Sequence, residues 1–242
     1  MINLFILKTI SRAYLALIIL LGAILYKDLT VLIVLQNTIL FLIISALIFY
    51  LFNYFKEKKF TYASNVTYLR VIISIILLSI SINALSDQDI FKNFYHDGYF
   101  ALIAFLALCL DGVDGYIARR FNEQNSFGEM FDQDADTLLM LTLSISLYLN
   151  KDVPMIVLLI PTYRYLFLIS MTKYKWMKCN LPESYYRKIS CALSTFLLII
   201  CHSQYIKDTS LSYLVLISLF VITFSFAKDI LWLYKRGRYE NT

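Results

Sequence analysis

Charge is scarce in this chain. Charged residues make up 16% of its 242 positions, against about 25% in an ordinary soluble domain. Hydrophobic residues fill 60%, and mean hydropathy is +0.67. So few charges cannot coat a water-facing globule, and the composition points to an integral membrane protein. Only helices and closed barrels satisfy their backbone in a bilayer. The apolar runs are continuous and lack strict alternation, which argues against a barrel. Histidine is nearly absent: His96 and His202 stand at polar edges without ligand spacing, which argues against a zinc site. The four cysteines (Cys109, Cys179, Cys191, Cys201) form no CxxC pair and no loop-borne disulfide pattern. Within apolar runs cysteine usually acts as a small hydrophobe. No cleavable signal peptide is expected, because the first apolar run leads into more membrane. Low-complexity stretches and a separate soluble domain are also missing.

What is present is a series of long apolar segments. A span needs about 20 mainly apolar residues. Eight are predicted, at roughly 11–27, 30–54, 64–86, 98–120, 127–149, 153–172, 185–204 and 210–233. Placing both termini on one side gathers Lys8, Arg12, Lys56, Lys58, Lys59, Arg119, Arg120, Lys173, Lys175, Lys178, Arg187, Lys188, Lys235, Arg236 and Arg238 there. The other side receives only Lys27, Lys92, Lys151 and Lys207. By the positive-inside rule the basic side faces the cytoplasm. Most of these cations serve topology and attraction to anionic lipid.

One stretch breaks the apolar pattern. Residues 111–119 read Asp-Gly-Val-Asp-Gly-Tyr-Ile-Ala-Arg, and Gly128, Asp132, Asp134 and Asp136 follow. The stretch holds seven of the 17 acidic residues and three of the six glycines. Carboxylates are costly near hydrocarbon, so their concentration marks a functional site. Spacings of three (Asp111, Asp114) and four (Asp132, Asp136) place each pair on one helix face. Asp134 should point away from that face. Two antiparallel helices can then aim four carboxylates into one space at the cytoplasmic end of the membrane. Four like charges there would repel strongly. Two divalent cations about 3.5–4 Å apart would neutralise them and form a clamp for displacement at phosphorus. Gly115, Ala118 and Gly128 lack bulk, allowing close approach of a ligand or of a neighbouring helix. Arg119, one turn beyond Gly115, can offer a fork of donors to phosphate or serve as an interfacial anchor.

The pattern Asp111-x2-Asp114-Gly115-x2-Ala118-Arg119-x8-Gly128-x3-Asp132-x3-Asp136 resembles the signature of the CDP-alcohol phosphotransferase family, with eight positions matched over 26 residues. The resemblance implies an all-α membrane fold with a six-helix core, here residues 61–242. The spans in residues 1–60 would be a two-helix N-terminal extension. It also implies that Asp111, Asp114, Asp132 and Asp136 hold two metals, magnesium or manganese. Gly115, Ala118 and Gly128 would line the cytidine nucleotide site, with Arg119 on its phosphates. Asp136 would be the general base for an acceptor hydroxyl, and CMP would leave. Family members are commonly homodimers.

Thr67 and Arg70, in Ser64-Asn65-Val66-Thr67-Tyr68-Leu69-Arg70, are candidate phosphate-side contacts, or a helix-capping and an interfacial residue. The family commonly places two residues between its Asn and Thr, whereas one separates Asn65 from Thr67. Arg164 lies inside an apolar span and needs an anionic partner: an aspartate of the stretch, or an anionic substrate group. Arg187 and Lys188, with Arg164 and Arg70, are candidates for the pocket of a phosphorylated acceptor such as glycerol 3-phosphate. The leading expectation is transfer of a phosphatidyl group from CDP-diacylglycerol to an alcohol in the bacterial inner membrane, with membrane lipids and no nucleic acid as partners. The alternatives are a CDP-linked small alcohol donating to a lipid hydroxyl, a membrane prenyltransferase, and a cation transporter. A prenyltransferase would carry a second acidic motif, and no second cluster of acids falls on the cytoplasmic side.

Overall fold

The computed structural model describes residues 4–25, 30–55, 60–85, 91, 94, 98–177, 185–206 and 208–239. These fold into eight α-helices: α1 (Leu4–Ile24), α2 (Val31–Tyr54), α3 (Tyr62–Asn83), α4 (Tyr99–Arg120), α5 (Ser126–Asn150), α6 (Leu159–Lys173), α7 (Tyr185–Cys201) and α8 (Asp208–Tyr239). No strand occurs among the described residues. The chain is an all-α membrane protein. Among the described residues, six helices are long and apolar enough to cross a bilayer: α1, α2, α3, α4, the segment Met155–Lys173 that contains α6, and α8. The other two differ for visible reasons. α5 carries Glu129, Asp132, Asp134 and Asp136 in its first half, and α7 has only 17 residues.

Local chemistry sets the helix starts. Thr30, Thr61 and Asn125 precede α2, α3 and α5 in extended conformation, and each side chain accepts a hydrogen bond from a first-turn N–H. Such caps satisfy donors that the helix leaves open. α4 is preceded by Gly98 with φ 78°, a left-handed conformation that suits glycine. α6 begins through a 3-10 turn at Met155–Leu158. Pro161 sits in its first turn, where a missing N–H costs nothing.

The core is organised around α3. It forms the main interface with both α4 and α5, whereas those two touch each other little. α1 and α2 pack on its outer side, and α7 and α8 pair on the far side of the bundle. The position of α3 follows from its sequence: Val71, Ile72, Ile75, Ile76, Leu77 and Ile80 are buried together with Ser74, Ser79 and Ser81. Small hydroxyls let helix backbones approach closely in a membrane. Thr142 on α5 donates to the Ser74 carbonyl at 3.3 Å, and Asn150 donates to that of Ser81 at 3.1 Å.

One smaller expectation is revised. His202 does not stand at a polar edge: it is buried, stacked on Phe100 with ring centroids 4.7 Å apart, and its Nδ1 lies 2.8 Å from the Leu198 carbonyl. The pairing of α7 with α8 also brings Asp229 to Arg187, 42 residues away in sequence. The loop cations Lys56, Lys58 and Lys59, and the segment 181–184 ahead of α7, lie outside the described residues.

Candidate active site

The turn between α4 and α5 shapes the site. α4 ends in a Schellman motif, with Asn122 in the left-handed region (φ 51°) and the Glu123 N–H donating to the Ala118 carbonyl at 2.9 Å. Asn125 then caps α5, its Oδ1 accepting from the Gly128 N–H at 2.6 Å. Glu123 reaches across to the start of α3, accepting from the Tyr62 and Ala63 N–H groups at 2.8 and 3.4 Å. A carboxylate is well placed at a helix N-terminus. Three residues of one turn therefore tie three helix ends together. Asn125 carries a legible capping signal, but the role of Glu123 depends on a partner 61 residues away.

With the helix ends fixed, four carboxylates converge. Asp111 and Asp114 come from α4, and Asp132 and Asp136 from α5. One oxygen each of Asp111, Asp114 and Asp132 lie within 4.8 Å of one another. All four surround Arg70 of α3, whose side chain is 1% exposed. Its Nη1 lies 3.1 Å from Asp111, 3.1 Å from Asp114 and 2.7 Å from Asp132, while Nη2 pairs with Asp136. Thr67, one turn earlier, donates to Asp114 Oδ2 at 3.0 Å. Two helices were expected to shape this space. A third supplies its centre, because α3 lies between the pair.

The donor set suits hard divalent cations: several carboxylate oxygens within a few ångströms and no sulfur or imidazole. Counted formally, four carboxylates and one guanidinium leave three negative charges uncompensated. Asp111, Asp132 and Asp136 keep about a third of their side-chain surface, so a ligand can reach them, whereas Asp114 is buried.

The small residues now separate. A Cβ on Gly115 would meet nothing but the Arg119 guanidinium, at 3.6 and 3.9 Å. No helix among the described residues comes within 4 Å of that carbon, so Gly115 keeps a surface open. A Cβ on Gly128 would lie 2.8 Å from Asn125 Oδ1, so this glycine makes room for the cap. Arg119 is exposed and Ala118 half-buried beside this surface. Asn65 donates to the Thr61 carbonyl of its own helix at 3.0 Å, away from the site.

The basic residues expected near the acceptor are engaged. Arg164 pairs with Asp134 at 2.8 Å and donates to Thr137 Oγ1 at 3.1 Å. Its anionic partner is thus the fifth aspartate, the one turned away from the other four. Arg187 pairs with Asp229 at 3.3 Å, and Lys188 is exposed at the start of α7. Arg70 stands among the carboxylates themselves.

The CDP-alcohol phosphatidyltransferase family model matches residues 60–227. A CDP-diacylglycerol–glycerol-3-phosphate 3-phosphatidyltransferase of Rickettsia typhi is 36% identical over 99 residues, covering 40% of this chain and 56% of that protein. The protein of the same description from Rickettsia prowazekii is 36% identical over 99 residues, 40% of this chain and 55% of its own length. A CDP-diacylglycerol–inositol 3-phosphatidyltransferase of Arabidopsis thaliana is 29% identical over 82 residues, covering 34% of this chain and 31% of that protein. The chain thus spans little more than half of the rickettsial relatives it matches. No solved structure matches it. With the family match extending over well more than half of its length, from the start of α3 into α8, the chain belongs to the CDP-alcohol phosphatidyltransferase family.

Proposed function

We propose that this chain transfers a phosphatidyl group from CDP-diacylglycerol to the hydroxyl of an alcohol, releasing CMP, as a step of phospholipid synthesis. One observation carries the reading: four carboxylates from two helices converge on one small, reachable space beside an open glycine and an exposed arginine. Divalent cations held by Asp111, Asp114, Asp132 and Asp136, magnesium or manganese, would supply charge neutralisation at the diphosphate. Thr67 holds Asp114 in place through its hydroxyl. Gly115 and Ala118 leave room for the nucleotide, and Arg119 projects beside that room as a donor fork for its phosphates.

Asp136 is the general base. It takes the proton of the acceptor hydroxyl, whose oxygen forms a new bond to the phosphorus bearing the diacylglycerol. The bond from that phosphorus to the bridging oxygen breaks, and CMP departs with the electron pair. Positioning and electrostatics account for such catalysis. The acceptor is a polar alcohol entering from the side of Arg164, Arg187 and Lys188; a phosphorylated one would compete with Asp134 and Asp229 for the two arginines. The relatives named for glycerol 3-phosphate and for inositol support the same class. The uneven distribution of lysine and arginine supports a site and termini facing the cytoplasm.

Purified protein incubated with CDP-diacylglycerol, Mg2+ or Mn2+ and single acceptors (glycerol 3-phosphate, inositol phosphate, inositol, serine, choline, phosphatidylglycerol) tests the reading. CMP release that requires both metal and acceptor is expected, fastest with a phosphorylated acceptor. Absence of metal-dependent CMP release with every acceptor would sink it.

A further inference from the structure

The two helices ahead of residue 60 lie outside the family match, yet they are built into the same packing as the site. α2 packs along α3 and reaches α5, and α1 packs on both α2 and α3. Polar pairs set the register of α2 on α3. Ser45 and the Tyr68 hydroxyl lie 2.6 Å apart, Asn37 donates to Ser79 Oγ at 2.8 Å, and Asn83 donates to Gln36 at 3.2 Å. Sliding α2 by one turn would strand these groups away from water, which is costly. Its axial position is therefore specified.

Near the carboxylates the contact becomes aromatic. Phe52 of α2 is 1% exposed. It meets Phe127 of α5 edge-on, with centroids 5.1 Å apart, and stacks on Phe60 at 6.3 Å. Phe60 in turn contacts Phe127 and Phe131 at 5.8 and 6.0 Å, and Tyr68 lies 6.0 Å from Phe131. These residues back directly onto the site. Phe131 precedes Asp132 on α5, and Tyr68 stands between Thr67 and Arg70 on α3. One face of α5 rests on the aromatic cluster while the neighbouring face presents Asp132 and Asp136 to Arg70.

We propose that the N-terminal helix pair is a positioning element of the site. Through Phe52 and Ser45 it sets the separation and rotation of α3 and α5, and so the placement of Asp132 and Asp136 against Asp111 and Asp114. The inference rests on the reading of these carboxylates as metal ligands. A helix pair that merely shielded the core from lipid would be indifferent to which of its side chains were altered. Here the inward residues couple to the site, while outward ones such as Leu15 and Ile19, 61% and 60% exposed, do not.

The full chain, purified in detergent or nanodiscs, allows Mn2+ affinity to be measured without substrate by titration calorimetry or electron paramagnetic resonance. CMP release then gives kcat and the donor KM separately. Phe52→Ala is expected to weaken Mn2+ binding about tenfold and to lower kcat with little change in donor KM, because misplacement of reacting groups by ~1 Å costs about 100-fold. Phe52→Leu, which refills most of the space, restores most of both. Ser45→Ala removes a single hydroxyl and weakens Mn2+ binding by about threefold, as loss of one buried hydrogen bond allows. Ile19→Ala leaves every value unchanged. Should Phe52→Ala fail to fold, Ser45→Ala decides the matter. Tight wild-type Mn2+ binding that Phe52→Ala and Ser45→Ala leave intact would overturn the proposal. A wild-type protein that binds no Mn2+ would overturn the metal reading and this proposal with it, a distinct result.

Discussion

Replacing Arg70 by glutamine removes the one positive charge among the described residues that pairs with all four site aspartates. At ~3 Å and an effective dielectric of about 20, each of its ion pairs is worth roughly 5 kcal/mol before desolvation is counted. Desolvation of the buried guanidinium offsets much of that sum. The net cost of leaving a buried charge cluster uncompensated is about 3–5 kcal/mol. Three of the aspartates keep about a third of their side-chain surface in contact with solvent, so the lower end applies. A loss of about 3 kcal/mol lowers the melting temperature of a chain of this size by roughly 6–12 °C. That loss belongs to the metal-free protein, because bound divalent cations would neutralise the same carboxylates. Thermal unfolding of wild type and Arg70→Gln should therefore be followed in detergent, once with a chelator and once with saturating Mn2+. A wide gap with chelator that narrows in Mn2+ is expected. Both proteins gain from the bound ion, so the gap narrows by the difference in their Mn2+ affinities, about 1.4 kcal/mol if loss of the competing guanidinium tightens the site tenfold. Arg70→Lys should fall between the two, since an ammonium keeps the charge but not the planar fork. An Arg70→Gln protein that melts with wild type in chelator, or a gap that Mn2+ leaves untouched, would refute the assignment of Arg70 as counter-ion of the cluster.

Other variants probe separate parts of the site. Asp136→Asn should abolish turnover while leaving the melting temperature near wild type, and normal CMP release from this variant would remove Asp136 as base. Gly115→Ala should stabilise α4 by up to about 1 kcal/mol through helix propensity, because only the Arg119 tip lies near the added carbon. Its donor KM should nevertheless rise, and an unchanged KM would detach Gly115 from the nucleotide. Gly128→Ala should cost about 1 kcal/mol by spoiling the Asn125 cap, no more than Asn125→Ala does; a clearly larger loss would assign the glycine another role. Arg164→Ala should raise KM for a phosphorylated acceptor, and adding Asp134→Asn should recover stability but not that KM. Recovery of both would confine Arg164 to its pairing with Asp134.

The sequence by itself determined the membrane setting, the helical class and the identity of the four carboxylates. Continuous apolar runs leave a bilayer chain no other fold, and spacings of three and four residues put side chains on one helix face whatever the tertiary context. The same periodicity turned Asp134 away from the other four. Partnerships between segments far apart in sequence were decided only by the tertiary structure. Nothing local says that Arg70 meets aspartates 41 to 66 residues further on, that Glu123 caps α3, or that Arg187 finds Asp229. Gly115 and Gly128 read alike as small residues, and packing alone separated an open surface from a capping requirement. The N-terminal helices read only as two more spans, until Phe52 and Ser45 were seen to lean on the helices that carry the site. Local spacing is set by backbone geometry and is legible in one dimension. Ion pairs and aromatic packing depend on distances that exist only once the helices have docked.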